Sequence, residues 1–309
     1  MPMTRTAIAA ALSLCLWLPG TVPSHAAEGA ELRRHPGEIL DLSTMETLSP
    51  RDLYVALEHK KIILIGEQHD NPEHHAVETL LLEELVTPGT AVVFEMLGPG
   101  LPLDKLGITT SRSELETALK PVTQRWDWNT YGPLFHLVLQ LGGSLASGNL
   151  GQDQIEALYQ GEDAGLPVQE TESRAAVTGQ VRKHIGNAIS AQHCKPVPAV
   201  RLDPMVEIQL ARDARMASQL EQHAGYRPAL LLAGGYHVRK DLGVPRHLNR
   251  DDSAVVMLAM VTDRGEIVGG DELLSNQVAD YLWFTSATEE TDYCGDTGAS
   301  TSHASPMSN

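Results

Sequence analysis

The chain has 309 residues, a formal net charge of −17, and only 5% aromatic residues. An acidic balance of that size excludes a non-specific nucleic-acid binder, which needs basic patches to neutralise phosphates, but it allows a small anionic ligand held by a local basic cluster. The length suits one large α/β domain or such a domain carrying a helical insert.

Arg5 precedes an apolar run at 7–18 that Pro19-Gly20 breaks, and Ser24-His25-Ala26 places small residues where a signal peptidase reads them. This predicts a signal peptide at 1–26, cleaved after Ala26. The run is too short to cross a bilayer core of about 30 Å. Cys15 lies inside that run behind the bulky Leu14, which is not the arrangement of a lipoprotein. With Cys15 removed, Cys194 and Cys294 remain as an even pair in an oxidising compartment, and a disulfide between them is expected. The alternative, a metal pair, lacks a second ligand at metal-site spacing beside either cysteine.

Residues 27–45 read as a polar lead-in, and Ser49-Pro50-Arg51-Asp52 opens a short helix. Ile62-Ile63-Leu64-Ile65 is a continuous apolar run, the pattern of a strand buried on both faces, and it runs into Gly66-Glu67-Gln68-His69. Asn71-Pro72 then starts a helix, with Asn at the cap and Pro in the first turn. Ala91-Val92-Val93-Phe94 predicts a second buried strand that ends on Glu95. Residues 97–142 and 150–200 read as helical inserts: Ser111-Arg112-Ser113-Glu114 is a capping box, and another helix is placed near 133–141. A weak third strand at 144–147 ends at Asn149. The most regular helix is placed at 205–223. Leu230-Leu231-Leu232-Ala233 predicts a fourth strand, running into Gly234-Gly235-Tyr236-His237. Strands at 254–261 and 281–284 complete the sheet, and the Ser/Thr/Gly-rich stretch at 295–309 reads as a disordered tail. Strands alternating with helices predict an α/β fold, a mostly parallel sheet covered by helices on both faces, with a helical insert.

Ligand sites of parallel sheets lie beyond the carboxyl ends of the strands. There this sequence places Glu67, His69, Glu95, Asn149 and His237. Two imidazoles and two carboxylates at one rim can bind a divalent metal or serve as acid and base. Gly66, Gly234 and Gly235 suit sharp turns and close approach there. A lone histidine after a strand is ordinarily a satisfied structural residue, whereas two such turns with a third strand ending in a carboxylate point jointly to a functional rim. His74 and His75 share the first turn of a helix, where only one can face the rim. Trp126, Trp128 and Tyr131 concentrate aromatics in a chain poor in them, as a hydrophobic plug or as an apolar wall with a phenol able to ligate a metal centre. Arg239, Lys240, Arg246 and His247 form a basic cluster, either a solvated loop or a grip for carboxylates. No Gly-x-Ser-x-Gly elbow follows a strand, and neither phosphate-loop nor dinucleotide glycine patterns occur.

Several of these runs resemble the ChaN-like proteins of the haem-binding uptake and Tiki superfamily: Gly66-Glu67-Gln68-His69-Asp70-Asn71-Pro72 with His74-His75, Val93-Phe94-Glu95-Met96, Asp127-Trp128 with Tyr131, Ala233-Gly234 with His237, Asp241-Leu242-Gly243-Val244-Pro245-Arg246-His247-Leu248, and Asp280-Tyr281-Leu282-Trp283-Phe284-Thr285. The resemblance spans roughly 38–294 and would make 27–294 one domain. It implies a periplasmic or outer-membrane-associated protein of iron and haem uptake, serving a possible outer-membrane haem receptor. In such a protein two stacked haems sit in a homodimer, each iron on a tyrosine. Here Tyr131 is the preferred ligand and Tyr236 the alternative, with Trp128, His237, Arg239 and Lys240 as further haem contacts. Tiki-type relatives instead imply a metal-dependent hydrolase using Glu67, His69, Glu95 and His237, and a third reading keeps these residues only to satisfy strand ends. Three departures stand out: no lipoprotein signal, Gly151-Gln152 where an arginine is expected, and Tyr236 where a small residue or asparagine is usual.

Overall fold

The computed structural model describes residues 33–100, 103–123 and 126–288. The expected leader, Cys294 and the tail at 295–309 lie outside the described residues. Eight described strands form one sheet: β1 (Ile39–Asp41), β2 (Thr47–Leu48), β3 (Ile62–Glu67), β4 (Ala91–Phe94), β5 (Ser144–Ser147), β6 (Ala229–Gly234), β7 (Ser253–Val261) and β8 (Tyr281–Ser286), in the order β2-β1-β8-β7-β3-β6-β4-β5. The six strands from β8 to β5 are parallel, and the β1–β2 hairpin joins antiparallel at the β8 edge. The α/β class and the mostly parallel sheet agree with the sequence.

The continuous apolar runs are explained by burial on both sides. Ile63, Ile65, Val92, Phe94, Leu230 and Leu232 pack on one face against α1 (Pro50–Leu57), α2 (Pro72–Leu85), α3 (Arg112–Leu119) and α4 (Trp128–Gln140). The alternate residues Ile62, Leu64, Val93, Leu231 and Ala233 pack on the other face against Met216, Ala217 and Leu220. Those three belong to α8 (Ala199–His223), the longest described helix. The insert at 150–200 is α5 (Gln152–Gln160), α6 (Val168–Ala176) and α7 (Gly179–Ala191), which build smaller apolar clusters against α8. No described helix is long and apolar enough to cross a membrane.

Two expectations need correction. The polar lead-in contains β1: Ile39 and Leu40 are fully buried because they pair with Trp283 and Leu282 of β8. Three residues are too few to show a period, so only the partner strand reveals this one. Helices α4 and α8 begin earlier than the prolines at 133 and 204 suggested, since both prolines lie inside them. Asp127 caps α4 by accepting from the Asn129 N–H at 3.2 Å, and that cap sets the start despite Pro133.

Candidate functional site

The sheet turns back on itself around β3: the chain moves through β4 to β5 on one side, returns with β6 between β3 and β4, then adds β7 on the other side of β3. Glu67 at the end of β3 is level with Gly234 at the end of β6, and Glu95 follows β4 beside them. The two Gly-x-x-His turns therefore converge, as the strand assignments required. Glu95 lies between their imidazoles: Oε1 is 3.4 Å from His237 Nε2, Oε2 is 3.8 Å from His69 Nε2, and Oε2 accepts the Gly234 N–H at 2.9 Å. Burial would raise the Glu95 pKa, but His237, His69 and the Gly234 N–H hold the carboxyl well below the usual range.

The glycines serve close approach rather than a left-handed backbone, since neither Gly66, Gly234 nor Gly235 has positive φ. A Cβ on Gly66 would overlap the Val238 side chain, and one on Gly234 would lie 2.8 Å from His69 Nε2.

His237 sits in a single helical turn, α9 (Gly235–Val238), after β6. Its Nδ1 is 2.5 Å from Asp213 Oδ1 of α8, and the Gln209 amide lies 3.1 Å from each ring nitrogen. Burial lowers the His237 pKa, but Glu95 and Asp213 more than reverse this and hold it up to about 10. His69 follows the same logic. Burial opposes its charge, the Glu67 hydrogen bond at 2.9 Å and the charges of Glu95 and Glu67 favour it, and it is raised to about 9 despite His237. Carboxylate and imidazole thus alternate from Asp213 through His237, Glu95 and His69 to Glu67.

A second group adjoins the end of this chain. Asn71 caps α2, accepting from the Glu73 and His74 N–H groups at 2.9 and 3.4 Å. The two histidines of the first turn then diverge. His74 is buried, its Nδ1 accepts the Gln68 N–H at 2.7 Å, and burial lowers its pKa to about 4, so it is a neutral structural residue. His75 faces the site: Nδ1 is 3.1 Å from Glu67 Oε2 and 3.0 Å from Glu78 Oε2, and Nε2 is 3.0 Å from the His69 carbonyl oxygen. Nδ1 carries at most one proton, which leaves Glu67 Oε2 without a hydrogen bond, and Glu78 Oε1 is likewise buried and unpartnered. Burial and the Glu67 charge push the Glu78 carboxyl up to about 8 against the opposing effect of His75.

Tyr131 closes this corner. It is buried, its hydroxyl donates to Glu67 Oε1 at 2.9 Å and lies 3.1 Å from His69 Nδ1, and Trp126 covers the His69 ring edge-on at 4.8 Å. Burial and the nearby Glu67 push the phenol far above its ordinary range. Trp128 instead packs back along its own helix on Gly132 and Phe135. Asn149 is structural, its Nδ2 donating to the Glu95 carbonyl at 2.9 Å.

The basic cluster is largely satisfied internally. Arg239 pairs with Asp241 at 2.8 Å and Glu272 at 3.4 Å, Lys240 pairs with Asp280 at 2.6 Å, and buried His247 meets Ser173 at 2.7 Å; Arg246 is exposed. The Tyr236 hydroxyl lies 3.5 Å from the His184 carbonyl, and burial pushes its pKa up to about 12. Glu78, Gln209 and Asp213 join the site without any motif to mark them. Their signal is a polar residue on an apolar helix stripe: Glu78 beside Val77, Leu81 and Leu82, and Asp213 beside Leu210, Ala214 and Ala217.

A cavity of about 680 Å³ opens between α5, the α7–α8 connection and α8. Ile155, Ile208, Tyr159, Lys195 and Arg201 are among its lining residues, and Gln209 joins it to His237.

The family model described as haem-binding uptake, Tiki superfamily, ChaN matches residues 53–248, more than half of the chain. The structure reported as cofacial heme binding to ChaN of Campylobacter jejuni is 28% identical, with a TM-score of 0.60, covering 79% of this chain and 95% of that one. Two weaker likenesses are the type III effector HopBA1, at 10% identity and TM-score 0.36 over 76% of this chain and 92% of that one, and a Bacillus cereus protein, at 14% and 0.34 over 71% and 72%. Among curated proteins there is no match. The span of the family match, together with the paired turns converging on Glu95, establishes that this chain belongs to the ChaN family of the haem-binding uptake, Tiki superfamily.

Proposed function

We propose that this protein binds haem for iron uptake in the periplasm or at the outer-membrane periphery, after cleavage behind Ala26, with haem held by a tyrosine at an interface between two copies. Family membership supports haem as the ligand. The observation that carries the placement is the cavity beside α8. Ligand pockets commonly enclose about 300–1,000 Å³, and this one, at about 680 Å³, combines apolar walls with Lys195 and Arg201. Those features suit a flat ring bearing two carboxylates. A tyrosine ligand of ferric haem acts as the phenolate, so it needs an accessible hydroxyl. Tyr131 is 2% exposed and bonded to Glu67, whereas Tyr159 on the cavity wall is 40% exposed. Tyr159 is therefore our first choice, ahead of Tyr236 and Tyr131. A disulfide between Cys194, at the cavity, and Cys294 belongs to the same reading.

Titration of the purified protein with haemin tests this. A Soret band with the high-spin character of oxygen ligation is expected, lost in Tyr159→Phe and kept in Tyr131→Phe and Tyr236→Phe. No Soret shift in the wild type sinks the haem reading, and loss in Tyr236→Phe moves the ligand to that residue.

A second reading is supported by the approach of His69 and His237 to Glu95. A hydrolase using Glu67, His69, Glu95 and His237 with a metal-activated water would cleave a simple ester such as p-nitrophenyl acetate in a chelator-sensitive way. Turnover unchanged in His237→Ala rules it out.

A further inference from the structure

Glu67, His75 and Glu78 offer three ligand atoms lying within 4.8 Å of one another, contributed by the end of β3 and one face of the first turns of α2. Both glutamate side chains are fully buried. The His75 ring orientation is informative. Its Nε2 lies 3.0 Å from the His69 backbone carbonyl, which can only accept, so Nε2 bears a proton and Nδ1 is the ring atom turned toward the two carboxylates. These three facing atoms repel unless a proton or a metal cation lies among them, and one proton on Nδ1 or on Glu78 can serve only one of the two contacts. A second ring N–H donated to a backbone carbonyl is also how metal-ligating histidines are held in one tautomer. Glu67 Oε2 and Glu78 Oε1 are meanwhile buried without a hydrogen-bond partner, and buried polar oxygens are ordinarily hydrogen-bonded or bound to a metal. Tyr131 fixes the other oxygen of Glu67 from outside the group.

We propose that Glu67, His75 and Glu78 form a binding site for one divalent transition-metal ion. One imidazole nitrogen with carboxylate oxygens suits Zn²⁺, Mn²⁺ or Fe²⁺ better than Mg²⁺ or Ca²⁺, which favour oxygen alone. Two carboxylates balance the ion's charge. Zinc bonds to nitrogen and oxygen are about 2.0–2.2 Å, and the spacings of 3.0 and 3.1 Å from His75 Nδ1 match neighbouring ligands around such an ion. The site differs from the strand-end set in using neither Glu95 nor His237, and it does not depend on where haem binds.

The full chain, stripped with chelator and dialysed against Zn²⁺ or Mn²⁺, should retain one ion per chain by elemental analysis. Glu78→Gln and His75→Gln should weaken retention by roughly 100-fold or more, since residues that only orient a ligand already cost about 10–100-fold; His237→Gln should retain the ion. No stoichiometric ion in the wild type overturns the proposal and leaves a shared proton to hold the cluster. Retention in Glu78→Gln with loss in His237→Gln also overturns it, placing the ion at the strand-end rim. Should the Glu78 and His75 variants fail to fold, Co²⁺ titration of the wild type decides. A stoichiometric visible d–d band that is unchanged in folded His237→Gln supports the site, and its absence overturns it.

Discussion

At Tyr131 the hydroxyl donates to Glu67 and touches His69, all within a buried corner. Removing it leaves a buried carboxylate oxygen with one donor fewer, for which the usual cost is about 1–3 kcal/mol. Tyr131→Phe should lower unfolding stability in urea by that order while leaving the haem spectrum intact. His237 governs a pH effect. Its folded pKa, about 10, lies above the ordinary histidine value of 6.5, because Glu95 and Asp213 overcome the opposing effect of burial. A group raised on folding contributes stability that is full below the unfolded pKa and is lost as pH rises through the folded one. The melting temperature should therefore fall between pH 7 and 10, and His237→Gln should flatten that slope. A slope equal in the variant would show that other groups set it.

Among the elements, α2 does most to assemble the site, because its cap and first turns supply Asn71, His75 and Glu78. Asn71 also reaches β8, donating from Nδ2 to the Ser286 carbonyl at 3.3 Å. Asn71→Ala should cost about 0.5–2 kcal/mol from the cap and weaken metal retention by loosening His75; calorimetry and the dialysis experiment check both. Gly66→Ala would force a Cβ into Val238, and overpacking of this kind costs roughly 1–3 kcal/mol. Much of this was legible in the sequence. Buried parallel strands read as unbroken apolar runs, and the Asn71-Pro72 start carries its own cap chemistry, so β3, β4, β6 and α2 could be placed along with the rim at their ends. What was not legible depends on partners distant in the chain. Asp213 looks like an ordinary charge on a helix until β6 brings His237 against it. Arg239 and Lys240 look free until Asp241, Glu272 and Asp280 neutralise them. The hydrogen bond of Tyr131 to Glu67 is likewise invisible until α4 is brought over the end of β3.

For the whole molecule, export and oxidation are the remaining expectations. Expressed with its leader in a Gram-negative host, the protein should begin at Ala27, with an intact mass that shows no lipid and, without reductant, two hydrogens fewer than the all-thiol form. An unprocessed or acylated species would overturn the export reading. The sheet meanwhile joins the earliest described strand to the last: β1 pairs with β8, Ile39 beside Trp283. A polypeptide is made from its amino end, so the β1–β2 hairpin must wait without its partner until β8 has emerged. Any product cut short before Tyr281 keeps an open sheet edge at β7 and a stranded hairpin. The last described strand is thus a clasp, joining two segments made far apart in the chain.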